Sequence, residues 1–177
     1  MENFLSYNES VSFSANEKLN NVLYNEGNAH AIVIFSNIFR TAEQEILLYA
    51  KNIFSNENEV TSSPNYITSL INFLEKKNTQ MKILLTEYNP ENDNNILREN
   101  IIKYKDKIKI RINTNQSIKK GGEPIHFCIG DNRMYRLEYD TEARKAICNF
   151  NDITSCSKFI SFFNQLFFSS SAQESFI

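Results

Sequence analysis

Three short apolar runs constrain this chain most: EILLYA at 45–50, MKILLT at 81–86 and KIKIRIN at 107–113. The first two are continuous and of strand length, which suits the interior of a sheet. The third alternates charged and apolar residues, the mark of a strand with one wet face. Each run follows a stretch of helical spacing. In 29–43, Ile32, Phe35, Ile38, Phe39 and Ala42 form a stripe that Val33 and Ile34 widen. Ser63 and Pro64 open the next helix, with Ser63 as the expected cap, and Ile67, Leu70, Ile71 and Leu74 line one face of it. A third helix is expected over 96–104. Helix and strand therefore alternate three times. That order predicts an α/β fold: a mixed, largely parallel sheet flanked by helices on both faces.

The ends read differently. Residues 1–15 are polar, with one strand-like patch at 11–13, and are expected to form a flexible arm. Leu19, Val22 and Leu23 predict a short helix over 16–25 that Gly27 breaks. Residues 89–95 read as a loop. After the third helix–strand pair come three further strand-like runs, 125–130, 134–139 and 145–150, the first two joined by a turn at Asp131 and Asn132. A last helix starts at Asp152 and carries Phe159, Ile160, Phe162, Phe163, Leu166, Phe167 and Phe168. This stripe fits core packing or, alternatively, a face for a partner or a second copy. Residues 169–177 read as a tail, which leaves one domain over 16–168.

A chain of 177 residues is long enough for one domain with a real core. Its net charge of −2 argues against a dedicated, strongly basic nucleic-acid binder. The N-terminus lacks a basic, apolar leader pattern, and no window is apolar enough to cross a membrane. Cys128, Cys148 and Cys156 lack CxxC spacing and read as reduced thiols, which points to the cytoplasm. No phosphate-binding loop, dinucleotide fingerprint or serine-hydrolase elbow occurs, so no cofactor is expected.

The polar residues that could carry chemistry gather in 124–152. His126 lies on a strand, and Arg136 and Glu138 alternate on the next, facing one side of the sheet. Asn149 and Asn151 stand just before a helix N-terminus. Convergence of these groups would make a phosphate or anion site, with Lys119, Lys120 and Arg133 as further cations. The other reading is a structural polar cluster. His126 and Cys128 share a strand face but lack a second pair of ligands, so no metal is expected. Residues 98–122 hold eight basic residues against two acidic ones in a chain of negative net charge. The run is either a solvated face or a rim suited to a polyanion such as a nucleic-acid backbone.

These residues resemble a known family. Residues 64–85 resemble the helix–strand unit of the phospholipase D-like fold, 125–138 its strand pair bearing His-x-Lys-x4-Asp, and CNFN at 148–151 its Gly-Ser-x-Asn segment. The resemblance covers about 29–168 and implies a small, single-motif bacterial member. His126 matches the family's nucleophilic histidine and Asn151 its asparagine. Cys128 stands at the lysine position, Arg133 at the aspartate position and Asn149 at the serine position, so the motif is degenerate. The resemblance implies two alternatives. One is a domain that binds phosphate groups or a protein partner, as an accessory part of a bacterial DNA-processing or defence system. The other is an active homodimeric phosphodiesterase or nuclease, with a second histidine supplied across the dimer and catalytic roles for His126, Arg136, Glu138 and Asn151.

Overall fold

The computed structural model describes residues 4–55, 57–87, 95–169 and 173–175. The three expected strands are present as β2 (Glu45–Ala50), β3 (Gln80–Leu85) and β4 (Ile108–Ile112). They run parallel, side by side, because α3 (Pro64–Glu75) and α4 (Asn95–Ile101) return the chain to the same end each time. Beyond β2 the sheet turns antiparallel through β7 (His126–Gly130), β8 (Met134–Asp140), β9 (Lys145–Asn149) and β1 (Leu23–Glu26). The last described strand, β10 (Gln173–Ser175), pairs antiparallel with β4. The sheet is thus mixed, in the order β1-β9-β8-β7-β2-β3-β4-β10, with its parallel part confined to β2, β3 and β4. A separate ribbon, β5 (Lys119–Lys120) with β6 (Glu123–Pro124), precedes β7.

Helices cover both faces. On one, α2 (Gly27–Thr41) and α3 pack Ile34, Ile38, Phe39, Leu70 and Phe73 against Ile46, Leu48 and Ile83 of the sheet. On the other, α5 (Ile153–Phe167) buries Phe163, Leu166 and Phe167 against Leu47, Tyr49, Leu84 and Phe127. The aromatic stripe of α5 is therefore split. Phe163 is fully buried, whereas Phe162 is half exposed.

Two terminal segments differ from the sequence reading. The stretch expected as an arm with a strand-like patch forms α1 (Phe4–Asn16), whose Val11 and Ala15 are buried in the core beside α2. Tyr7 stacks on His30 of α2 at 3.8 Å between ring centroids. The helix expected over 16–25 is replaced by β1 on the sheet edge. Three apolar positions were too few to separate helix from strand there, and pairing with β9 decides it. In the expected tail, residues 173–175 form β10, and the expected loop at 89–95 falls largely outside the described residues. Ser63 is the cap residue of α3, but its side chain makes no capping hydrogen bond.

Two lysines of the basic run's neighbourhood are structural. Lys76 Nζ donates to the carbonyls of Phe39, Arg40 and Ala42, closing the C-terminal end of α2. Burial there lowers its pKa, partly offset by Asp131 and Glu43. Lys107 Nζ does the same for α3 through Leu74 O and Lys76 O. Asp131, in the β7–β8 turn with a positive φ of 49°, accepts from the backbone N–H groups of Glu43, Gln44 and Glu45. That carboxylate pins the hairpin tip to the α2–β2 connection.

The split stripe of α5 gives a direct test. Phe163→Ala is expected to lower unfolding free energy by about 3–5 kcal/mol, the usual range for a fully buried aromatic. Phe162→Ala is expected to change it by less than about 1 kcal/mol. Urea denaturation of both variants measures the difference.

Candidate functional site

The β7–β8 register sets His126 opposite Glu138 and Cys128 opposite Arg136. The same alternation turns all four side chains toward α2. Glu138 bridges its neighbours. Its Oε2 lies 2.9 Å from His126 Nδ1 and its Oε1 accepts from Arg136 Nη2 at 3.2 Å. Arg136 Nε donates to Asn25 Oδ1 of β1 at 3.0 Å, and the guanidinium lies 5.1 Å from the Phe35 ring centroid. Arg136 and Glu138 are only 3% and 4% exposed. These are buried charges, tolerable only because each meets the other and a hydrogen-bonding partner.

His126 makes a second bond. Its Nε2 receives the backbone N–H of Lys51 at 3.2 Å. A ring nitrogen that accepts an N–H must present its lone pair, so the proton sits on Nδ1 and is donated to Glu138. Both ring nitrogens are therefore engaged. Burial raises the pKa of Glu138, but the hydrogen bond from His126 and the charge of Arg136 outweigh it, and the carboxyl is held below its usual value.

Beside this network opens a cavity of about 690 Å³, lined by Phe35, Tyr49 and Tyr66 and by residues following β2, β3 and β4. It stands at the C-terminal ends of the parallel strands, the common place for a ligand crevice in open α/β sheets. Its charged lining is mixed: Lys51, Arg136 and Arg144 face Glu57, Glu87, Glu138 and Glu142. Lys51 and Glu87 pair at 3.3 Å.

The structure brings His126, Arg136 and Glu138 together and places the other candidates elsewhere. Asn149 pairs with Tyr135, about 10 Å along β8 from Glu138, and its side chain lies on the opposite face of the sheet. It donates to Asn20 Oδ1 and accepts from the Asn151 backbone, so both asparagines serve the turn into α5. The expected convergence of His126 with Asn149 and Asn151 does not occur. The N-terminus of α5 is filled by Asp152, whose carboxylate accepts from Ser155 N. The Ser155 hydrogen bonds hold that carboxyl below the usual range. Arg133 donates to Phe150 O and Thr41 O and is not a free cation. Lys119 and Lys120 form β5 of the β5–β6 ribbon, and Lys119 is not among the residues that line the cavity. Cys128, which the resemblance sets at the family's lysine position, is fully buried, and desolvation pushes its thiol up to about 12. Among the described residues, no group of three or more His, Cys, Asp or Glu is arranged to hold a metal ion.

Sequence reasoning missed Asn25, Tyr66 and the Lys51 amide. Asn25 lies 111 positions from Arg136 and reached it only when β1 joined β9. A backbone amide leaves no trace in side-chain identity. The network also sets an acid limb of stability. Glu138 titrates lower folded than unfolded, so its contribution is full above about pH 4.3 and is lost as pH falls through the lower folded value. Glu138→Gln, which strands Arg136, is expected to cost about 3–5 kcal/mol at neutral pH. The gap from the parent should narrow as pH falls below about 4, read by denaturant unfolding across a pH series.

No family model and no curated protein matches the chain. Solved structures do. The phospholipase D family member Nuc from Salmonella typhimurium superposes with a TM-score of 0.63 at 14% identity, covering 90% of this chain and 100% of that one. NucT from Helicobacter pylori gives 0.56 at 10% identity, over 88% of this chain and 100% of that one. TrmBL2, an archaeal chromatin protein described with a novel mode of DNA binding, gives 0.60 at 17% identity, over 94% of this chain and 60% of that one. At such identities the likeness concerns architecture, and the architecture is clear: the chain has the phospholipase D-like fold.

Proposed function

We propose that this chain is a phospholipase D-like domain that binds its ligands and does not hydrolyse phosphodiesters. The observation that carries this reading is the Lys51 N–H on His126 Nε2. In the mechanism that the resemblance implies, that nitrogen attacks phosphorus and forms a phosphohistidine. A lone pair already accepting a hydrogen bond is a poor nucleophile until the bond is broken. The setting offers little in return. Cys128 replaces the phosphate-binding lysine and is buried as a neutral thiol. Arg136, the nearest cation in the network, is tied to Asn25 and Glu138. His30 is no second catalytic histidine within the chain, because its Nδ1 accepts from Glu26 N and its ring stacks on Tyr7. An active homodimer would need two His126 rings facing each other with Nε2 released.

Polyanion contact, on this reading, falls to the exposed lysines Lys103, Lys105, Lys109 and Lys119. They lie around β4 and the ribbon and are not among the residues that line the cavity. Lys107 and Arg111 do not join them: Lys107 closes α3, and Arg111 donates to Phe167 O and packs on Phe167. Among the described residues, no helix is long and apolar enough to cross a membrane. The DNA binding attributed to TrmBL2 is in keeping with a polyanion partner for this fold.

Purified protein is expected to leave bis-p-nitrophenyl phosphate and both DNA and RNA intact without added metal. Turnover abolished by His126→Ala would overturn the proposal. Binding of a fluorescent DNA duplex, followed by anisotropy, should weaken steeply with salt, at about 0.9 log unit in affinity per log unit of salt for each phosphate contact. Changing Lys103, Lys105, Lys109 and Lys119 to Gln should flatten that slope. Salt-independent binding, or a slope unchanged in the variant, would remove these lysines from the interface.

A further inference from the structure

At the opposite end of the sheet from the His126 network, a second cavity of about 380 Å³ lies among the C-terminal ends of α1, α2 and α3 and the β7–β8 turn. The six residues of β2, roughly 20 Å of strand, separate the two. The charged lining of this second cavity is one-sided. Lys18, Arg40, Lys76 and Arg133 are cations, and Glu43 is the sole carboxylate among the lining residues. No ion pair among the described residues joins any of these four cations to an acid. Asp131 acts on Lys76 but spends its oxygens on the amides of Glu43, Gln44 and Glu45. The C-terminal end of α2 adds about half a negative charge. Positive charge is still in excess.

The fold sets each cation, and two of them keep donors to give. Lys76 Nζ spends its three protons on the carbonyls of Phe39, Arg40 and Ala42. Arg133 gives Nη1 to Phe150 O and Nη2 to Thr41 O. These two bring charge more than free donors. Arg40 gives only Nη2, to Oδ1 of Asn37, a buried side chain that is itself anchored on Val33 O. Arg40 is exposed, and the rest of its guanidinium fork is open to a ligand. Lys18 is exposed as well. It follows α1 with a φ of 52°, at the point where Leu19 N–H closes the helix on Ser14 O. Glycine or asparagine is the usual residue there, because a larger side chain is crowded in the left-handed region. Lysine accepts that crowding and places an ammonium on the cavity wall. The volume falls in the range of small-molecule sites, roughly 300–1,000 Å³. A guanidinium fork beside an ammonium is a donor set suited to phosphate oxygens. We infer that this cavity binds a phosphate monoester, with its phosphate held by Lys18 and the open side of Arg40 in the field of Lys76 and Arg133. A monoester carries about 1.5 to 2 negative charges at neutral pH and so answers the excess better than a singly charged diester. Glu43, exposed on the wall, is the one lining group that opposes it.

The site does not depend on the state of His126, and the distance between the two cavities lets NMR tell them apart. Isotope-labelled protein is titrated at constant ionic strength with inorganic phosphate, methyl phosphate and dimethyl phosphate. Inorganic phosphate and methyl phosphate are expected to shift the amide signals of Asn16, Thr41 and Glu43 and to leave those of Lys51 and Phe127 in place. Dimethyl phosphate is expected to bind at least about ten-fold more weakly, for want of the second charge. Lys18→Asn, chosen because asparagine suits the left-handed backbone, should weaken methyl phosphate about ten-fold, the scale of one lost hydrogen bond to a charged group. Arg40→Gln should do the same. A 5′-phosphorylated DNA oligonucleotide that binds the parent more tightly than its unphosphorylated twin, with the difference lost in Lys18→Asn, assigns the phosphate to a strand end. Equal binding of the two oligonucleotides, with methyl phosphate still bound, assigns it to a small phosphorylated molecule. Equal affinity for methyl and dimethyl phosphate, or equal affinity of parent and both variants, would overturn the inference. So would shifts confined to Lys51 and Phe127, or no shift at about 10 mM phosphate.

Discussion

The Glu138 carboxylate is the interaction on which the site depends. One oxygen meets His126 and the other meets Arg136, and Arg136 in turn reaches Asn25 on the sheet edge. Four side chains from three strands are tied together by one buried anion. No member can leave without exposing another, because a buried charge whose partner is removed keeps its desolvation penalty. The chain of bonds also runs across the antiparallel half of the sheet, from β7 through β8 to β1, which has few residues to hold it. A polar network with every partner in place specifies one arrangement of these strands where apolar side chains would tolerate several.

This arrangement fixes the chemistry at His126. Glu138 sets the proton on Nδ1, as a catalytic partner would. The Lys51 amide then takes the lone pair that the orientation leaves at Nε2. On the proposed reading, the histidine that the resemblance marks as the nucleophile is thereby engaged. The buried thiol of Cys128, at the position where the resemblance implies a lysine, and the mixed charges of the cavity act in the same direction on that reading. What remains is a concave, mixed polar surface at the C-terminal ends of β2, β3 and β4, which is suited to recognition.

Much of the frame was legible because it rests on periodicity. The apolar runs at 45–50 and 81–86 could hardly be anything but interior strands, and the helix beginning at Pro64 ends within a residue or two of where its stripe does. Arg136 and Glu138 were legible as a pair because two-residue spacing on a strand puts them on one face. What was not legible depended on pairing across the sequence. Asn149 and Asn151 stand next to a helix start, and local reading assigned them to a phosphate cradle. Asp152 instead fills that helix end with its own carboxylate, and strand alternation turns Asn149 to the far face. The basic run misled for a related reason. A formal charge count cannot tell a solvated lysine from Lys107, which closes a helix, or from Arg111, which is folded onto Phe167.

The most direct test of the account is the tautomer of His126, read from long-range nitrogen–proton NMR correlations of the imidazole at neutral pH. The expected result is a protonated, pyrrole-like Nδ1 and an unprotonated Nε2 whose shift moves toward the hydrogen-bonded range, with a scalar coupling to the Lys51 amide across that bond. A proton on Nε2, or an unprotonated Nε2 with no coupling to Lys51, would mean that the nitrogen is free to act and that the site is not silent.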